Sequence, residues 1–246
     1  MALILAIDTT TPQSGAALLE GQGQEAPETT TVTTTVRAAR RAVVTTHSEA
    51  LLEMIDAVLG EAGVGPQEVT AIACAAGPGS FTGLRIGLAT AKGVCLGLGK
   101  PLILVPALLA LAARVRVADK TLVVACIDAF KGEVYVGRHH CMGGAGAPAP
   151  VLIGKEETVA PAALAEELRA RAAEGPVVLV GDGMGRWPEL RVAGLAGIDE
   201  GPPDPVDVGR LAVERWARGE HDALASASPR YIRPSEAELM EQQRKT

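Results

Sequence analysis

Gly77-Pro78-Gly79-Ser80-Phe81-Thr82-Gly83-Leu84-Arg85-Ile86-Gly87 is the most constrained stretch of this chain. The apolar run before it, residues 69–75, reads as a buried strand. Residues 84–98 after it read as a helix. The glycines between them permit backbone angles and close approaches that side chains forbid. Pro78 fixes one φ and pushes Gly77 toward an extended conformation. Ser80 or Thr82 can cap the helix. A strand, a tight glycine turn and a helix N-terminus together can aim backbone N–H groups at an anion.

Three familiar motifs come close and fail. A Walker A loop needs a lysine that the turn lacks, and Thr82 stands where the third glycine of G-x-G-x-x-G belongs. Pro78 and Thr82 replace the glycines of a nucleophile elbow around Ser80. A purely structural turn is therefore the bland reading. The helix is less ordinary. Gly83 and Gly87 are four apart, as are Gly93 and Gly97. Each helical glycine costs roughly 1 kcal/mol against alanine, so close packing on a sheet or a partner helix is expected in return. Arg85 and Lys92 lie two turns apart on a side expected to be exposed.

The 246 residues suffice for one large or two modest domains. With 48% hydrophobic residues the chain is not a disordered one. A net charge of −6 and six aromatic residues argue against a primary nucleic-acid binder. Membership of an assembly that binds nucleic acid stays open. Cys74, Cys95, Cys126 and Cys141 have no zinc spacing and read as small core residues of a reduced compartment. No signal peptide is expected. The longest apolar run, residues 102–113, contains Pro106 and is too short to span a bilayer. The expectation is a soluble cytoplasmic protein.

In chain order, strands are expected at 2–7, 14–20 and 29–36, the last a threonine-rich edge strand with a polar face. Thr46 and Glu49 fit a capping box before a helix to residue 62, broader in its apolar surface than one sheet requires. After the glycine helix come a strand at 101–105, a helix from Pro106 to about residue 114, and strands at 122–127 and 133–138. Residues 143–150 form a flexible surface loop. A charged helix at 160–173, a strand at 177–180 leading into Gly181-Asp182-Gly183, and a helix at 206–218 follow. The polar tail from residue 228 has helical character at 236–243.

One pattern repeats. Leu5-Ala6-Ile7-Asp8, a turn and a strand recur as Ala125-Cys126-Ile127-Asp128, a turn and a strand. This suggests an α/β fold of two similar actin-like (ASKHA, RNase H-like) lobes, each a mixed sheet flanked by helices. In actin, Hsp70 and sugar kinases two such hairpin turns grip phosphates, and an Asp at each strand end handles metal and water. Asp8 and Asp128 are placed that way and could hold Mg²⁺ through water, or each could simply cap its turn. Thr9-Thr10 and Ala129-Phe130 stand where that plan wants a glycine and a hydroxyl residue, so side chains crowd the phosphate positions. His47 has Leu51, not a second histidine, four residues on. His139, His140 and His221 have no evident partner set.

Ile4-Leu5-Ala6-Ile7-Asp8-Thr9, His47-Ser48-Glu49, the glycine stretch, Ile127-Asp128-Ala129, Gly132-Glu133-Val134-Tyr135 and Pro229-Arg230-Tyr231-Ile232-Arg233 resemble the TsaB (YeaZ) family of bacterial tRNA threonylcarbamoyladenosine biosynthesis proteins. The resemblance spans the chain and is weakest over 143–200. It implies an actin-like lobe at 1–105, a smaller one at 106–225 and a tail at 226–246. It implies a non-catalytic scaffold for a larger paralogue, TsaD, which transfers threonylcarbamoyl to adenosine 37 of tRNAs reading ANN codons. A small ATPase, TsaE, joins them, tRNA is met only through the complex, and neither cofactor nor metal belongs to this chain. The family pairs through its first two helices. That puts His47, Leu51, Met54, Ile55, Val58, Gly83, Arg85, Ile86, Gly87 and Lys92 at the expected partner interface, with a homodimer when TsaD is absent. Asp8, Thr9, Gly79, Ser80 and Asp128 are the weaker candidates for nucleotide or phosphate contact. The rival reading is an actin-like ATPase, small-molecule kinase or peptidase with its own cleft at Asp8 and Asp128.

Overall fold

In the computed structural model the described residues are 1–24, 31–43, 47–142 and 149–233. The expected capping box at Thr46, most of the 143–150 loop and the tail helix at 236–243 lie outside them. The first sheet is built from β1 (Ala2–Asp8), β2 (Gln13–Gln24), β3 (Thr31–Val43), β4 (Ala71–Gly77) and β5 (Leu102–Pro106). Its helices are α1 (His47–Ala62), between β3 and β4, and α2 (Phe81–Leu98), between β4 and β5. Then come α3 (Ala107–Arg114), β6 (Thr121–Asp128), β7 (Val134–Cys141), β8 (Val151–Leu152), β9 (Glu157–Val159), α4 (Pro161–Glu174), β10 (Val177–Val180), the one-turn α5 (Gly183–Arg186), β11 (Gly197–Asp199) and α6 (Pro205–Ala217).

The strand orders are β3-β2-β1-β4-β5 and β8-β7-β6-β10-β11. In each sheet an antiparallel hairpin leads and a parallel strand, reached through a helix, lies on the hairpin's other side. The two halves are therefore the same plan, two actin-like lobes, as the repeated Ile-Asp strand ends predict. β3 is the edge strand expected, and it runs to Val43, past the predicted end. A bulge opposite Leu18 and Leu19 leaves Arg37 unpaired in the ladder, where it reaches Glu20 at 2.7 Å. β8, β9 and β11, each two or three residues long, were too short to show a period.

Alternation along the buried strand β1 divides the first core. Leu3, Leu5 and Ile7 face α1 and α2, while Ala2, Ile4 and Ala6 face α6. In the second sheet Val124 and Cys126 pack with Leu164 and Leu168 of α4, and Val123, Ala125 and Ile127 pack with Leu108 and Leu111 of α3. The helices α3 and α6 thus lie between the sheets. Arg114 of α3 donates to Asp207 of α6 at 2.7 Å and binds them together.

Candidate functional site

The glycine stretch wraps the turn that ends β1. Ser80 N–H donates to Thr10 O and the Thr9 hydroxyl donates to Gly83 O, both at 2.7 Å. A Cβ at Gly79 would overlap Thr10 O, one at Gly83 would overlap Thr9 O, and one at Gly87 would overlap Thr9 Oγ1. These glycines exist so that α2 can press its backbone onto the Thr9-Thr10 turn. Ser80 caps α2 by accepting from Gly83 N–H at 3.2 Å. The Thr9-Thr10 turn, which stands where the kinase plan wants a glycine and a hydroxyl residue, is thus covered by α2 on one side.

Asp8 is 1% exposed. Its Oδ1 accepts from Thr10 N–H at 2.8 Å and from Thr10 Oγ1–H at 2.6 Å, and its Oδ2 has no partner among the described residues. Burial pushes its carboxyl up to about 6, against the pull of the Thr10 hydrogen bonds. The charges that add to the shift are Asp204 and Asp207. Asp8 is thus a turn-holding carboxyl sealed behind threonines, and it does not line the hollow that Asp128 lines.

That hollow, about 210 Å³, is bounded by Thr10, Thr11, Asp128, Phe130, Asp182 and Arg186 among others. Asp128 Oδ1 accepts from Phe130 N–H at 3.1 Å, capping its turn, and Arg186 pairs with Oδ2 at 3.4 Å. Asp182 accepts from Asp128 N–H at 3.2 Å, and burial pushes its carboxyl up to about 6. Asp182 and Arg186 were missed in sequence; the signal available was that Asp182 follows a strand within Gly181-Asp182-Gly183. Gly181, at φ 123°, lies against Cys126 O within β6, where a Cβ would overlap that oxygen. Among the described residues no three His, Cys, Asp or Glu side chains gather into a metal-sized group.

The expected interface residues divide sharply. Leu51, Met54, Ile55 and Val58 are buried in the chain's own first core, and Gly83 and Gly87 are buried on the Thr9 turn. All six are largely buried within this chain, Ile55 also bordering the groove between the helices, so the broad apolar surface of α1 serves α2 and the sheet together. Arg85 is exposed, Ile86 and Lys92 are half-buried, and the His47 side chain lies outside the described residues. Other residues of the two helices lie on the outside of this pair. Leu52 is 54% and Leu96 73% exposed, and a Cβ at Gly93 or Gly97 would meet nothing within 4 Å. Between the helices runs an apolar groove of about 520 Å³, lined by Leu52, Ile55, Leu59, Val94 and Gly97 among others.

The segment after α6 straps the lobes together. Arg230 N–H donates to Ala76 O of β4 at 2.7 Å, and its side chain lies 3.3 Å from Glu156, ahead of β9. Tyr231 rests on Phe81 with ring centroids 5.1 Å apart, Ile232 joins the core beneath α3, and Arg233 pairs with Glu133.

The family model described as "TsaD: tRNA N6-adenosine threonylcarbamoyltransferase" matches residues 40–174. The tRNA threonylcarbamoyladenosine biosynthesis protein TsaB of Escherichia coli is 32% identical over 94% of this chain and 94% of its own length. A tRNA N6-adenosine threonylcarbamoyltransferase of Novosphingobium aromaticivorans is 34% identical over 50% of this chain and 38% of its own. A solved Pseudomonas aeruginosa structure, described as an uncharacterized protein with similarity to peptidase YEAZ, superposes with TM-score 0.72 and 30% identity, covering 95% of this chain and 100% of that one. With the paired lobes and a relative matched over 94% of both chains, the chain belongs to the TsaB (YeaZ) family.

Proposed function

We propose that this chain is a non-catalytic organising subunit for threonylcarbamoyl transfer to adenosine 37 of tRNAs reading ANN codons. It holds the larger paralogue TsaD, a TsaE-like ATPase joins the pair, and tRNA is engaged through the complex. Its first lobe, residues 1–105, carries the docking helices α1 and α2. The observation that carries the reading is the side-chain-bearing turn itself: Thr9 and Thr10 stand where the kinase plan wants a glycine and a hydroxyl residue, and the α2 backbone packs onto them. The exposed Leu52 and Leu96, the open Gly93 and Gly97 and the groove between the helices supply the docking surface. Small residues there let a partner helix approach closely, and apolar side chains of this size bury well in an interface core. The same surface would join two copies when the paralogue is absent.

The rival reading needs Asp8 and Asp128 in one open cleft. The burial of Asp8 counts against it. The test is threonylcarbamoyl transfer in a mixture of TsaD, TsaE, the adenylate synthase, threonine, bicarbonate, ATP and tRNA, with and without this chain. Product should require it, and a Gly97→Trp variant should fail to restore product. Equal product without the chain would sink the subunit reading.

A further inference from the structure

The chain has six aromatic residues, and four of them, Phe81, Phe130, Tyr135 and Tyr231, line one pocket of about 530 Å³. The same walls carry Arg85, Lys131, Arg230 and Arg233 and, among the described residues, no carboxylate, on a chain whose net charge is −6. The pocket lies between the N-terminus of α2, the β6–β7 turn and the C-terminal strap, so each lobe gives a wall.

The chemistry of those walls is specific. Phe81, Phe130 and Tyr231 are 39%, 44% and 38% exposed, leaving part of each ring open. Phe130 is held at φ 56° on its turn, a conformation a non-glycine residue seldom adopts, with its N–H fixed by Asp128. Arg85 is positioned twice, by Nε–H donation to Tyr231 OH at 3.0 Å and by lying 3.9 Å over the Phe81 ring. It has no carboxylate partner among the described residues, which leaves its outer guanidinium face for an anion. Arg230, by contrast, is engaged by Glu156 and Arg233 by Glu133. The first N–H groups of α2 have no intrahelical acceptor by helix geometry, and its first turn has no acidic residue. Open aromatic faces beside a fixed arginine and a helix N-terminus suit a flat base attached to a phosphate.

We propose that this pocket binds a nucleotide unit, with the base against Phe130 and the phosphate on Arg85 at the N-terminus of α2. The unit comes either from free nucleotide or from single-stranded RNA. The proposal stands apart from the subunit reading, since the pocket lies off the groove between α1 and α2.

Binding to the full-length chain alone tests it, so failure here leaves the transfer assay untouched. Adenosine monophosphate, an eight-residue oligoadenylate and inorganic phosphate would each be titrated by calorimetry from 50 to 300 mM salt. The nucleotide or the oligomer should bind, with phosphate at least tenfold weaker. Phe130→Ala should weaken binding about five- to tenfold or more. Arg85→Ala should weaken it and flatten the salt dependence by about one. Arg169→Ala on α4, outside the pocket, should change nothing. An oligomer binding more than tenfold tighter than the mononucleotide identifies RNA as the source; equal binding identifies free nucleotide. Phe130 packs into none of the cores, so its variant folds and keeps the test decisive if Arg85→Ala does not. No binding by either nucleotide probe, or binding that Phe130→Ala leaves intact, overturns the proposal.

Discussion

Gly87 of α2 lies directly over Thr9 of the β1–β2 turn, so close that a Cβ on residue 87 would overlap the Thr9 hydroxyl oxygen. Gly83, one turn earlier, accepts that hydroxyl's hydrogen through its carbonyl. One helix therefore holds two kinds of glycine. Gly83 and Gly87 are clamped, while Gly93 and Gly97 face open space. Alanine substitution should separate them by sign. Gly83→Ala and Gly87→Ala force backbone apart and should destabilise by about 1–3 kcal/mol. Gly93→Ala and Gly97→Ala gain helix propensity and should stabilise by about 0.5–1 kcal/mol. Denaturant midpoints of the four variants decide it; stabilising or neutral Gly83→Ala and Gly87→Ala would show that the Thr9 contact carries no weight.

Both kinds were visible in sequence as a pair of four-residue spacings, but their spacing is identical and only their surroundings differ. The repeated strand-Asp-turn pattern was enough for the fold, because β1 and β6 are buried on both faces and read as continuous apolar runs. The expected partner surface was harder to read. Leu51, Met54, Ile55 and Val58 form a stripe whichever neighbour they face, and periodicity does not say whether that neighbour is the same chain. The aromatic pocket was hidden for another reason. Composition averages six rings over the whole chain, whereas folding brings Phe81, Phe130, Tyr135 and Tyr231 together from three separate segments.

The buried carboxyls predict a pH dependence. Asp8 goes from an ordinary 3.8 to about 6 on folding, and Asp182 moves the same way to about 6. Between those values the folded chain keeps protons that the unfolded chain has lost. These two carboxyls therefore lower stability as pH rises from about 4 to about 6, while His139, whose imidazole burial pushes down to about 4, works in the opposite direction over the same window. For Asp8, a shift of roughly two units corresponds to on the order of 3 kcal/mol. Asp8→Asn preserves an acceptor for Thr10 and removes the ionisation, so its stability should decline less steeply over the same window. Urea midpoints from pH 4.5 to 7.5 measure both slopes, and parallel slopes would show that Asp8 does not titrate as described.

Arg114 and Asp207 make the second prediction about buried charge. Asp207 is 5% exposed, and burial raises its carboxyl despite the opposing pull of Arg114. Arg114 also donates to Pro202 O, so it ties α3 both to α6 and to the chain leading into it. Arg114→Leu leaves a buried carboxylate short of its main partner and should cost about 3–5 kcal/mol. Removing both charges, as Arg114→Leu with Asp207→Leu, should recover much of that loss, because the desolvation of the carboxylate goes with it. A double-mutant cycle in denaturant measures the coupling. Purely additive losses would mean that the pair contributes by packing alone.

The outer face of α2 gives the last prediction, and it separates docking from folding. Leu96 is 73% exposed and belongs to none of the hydrophobic cores, while Leu88 on the same helix is 6% exposed and packs under α1. Leu96→Asp should change stability by no more than about 0.5 kcal/mol, as surface substitutions do. If α2 docks the paralogue, the same change places a charge in an apolar contact and should weaken association at least tenfold. Leu88→Ala is the counterpart: it should cost about 2–5 kcal/mol of stability through a core cavity. At a temperature where it stays folded, it should leave the docking affinity near wild type. Sedimentation of each variant with and without TsaD reads the association, and thermal melts read the fold. A Leu96→Asp chain that still associates at full strength would move the docking surface off this helix face. Loss of association in Leu88→Ala alone would show that the helix needs its core, and not its exposed leucine, to bind.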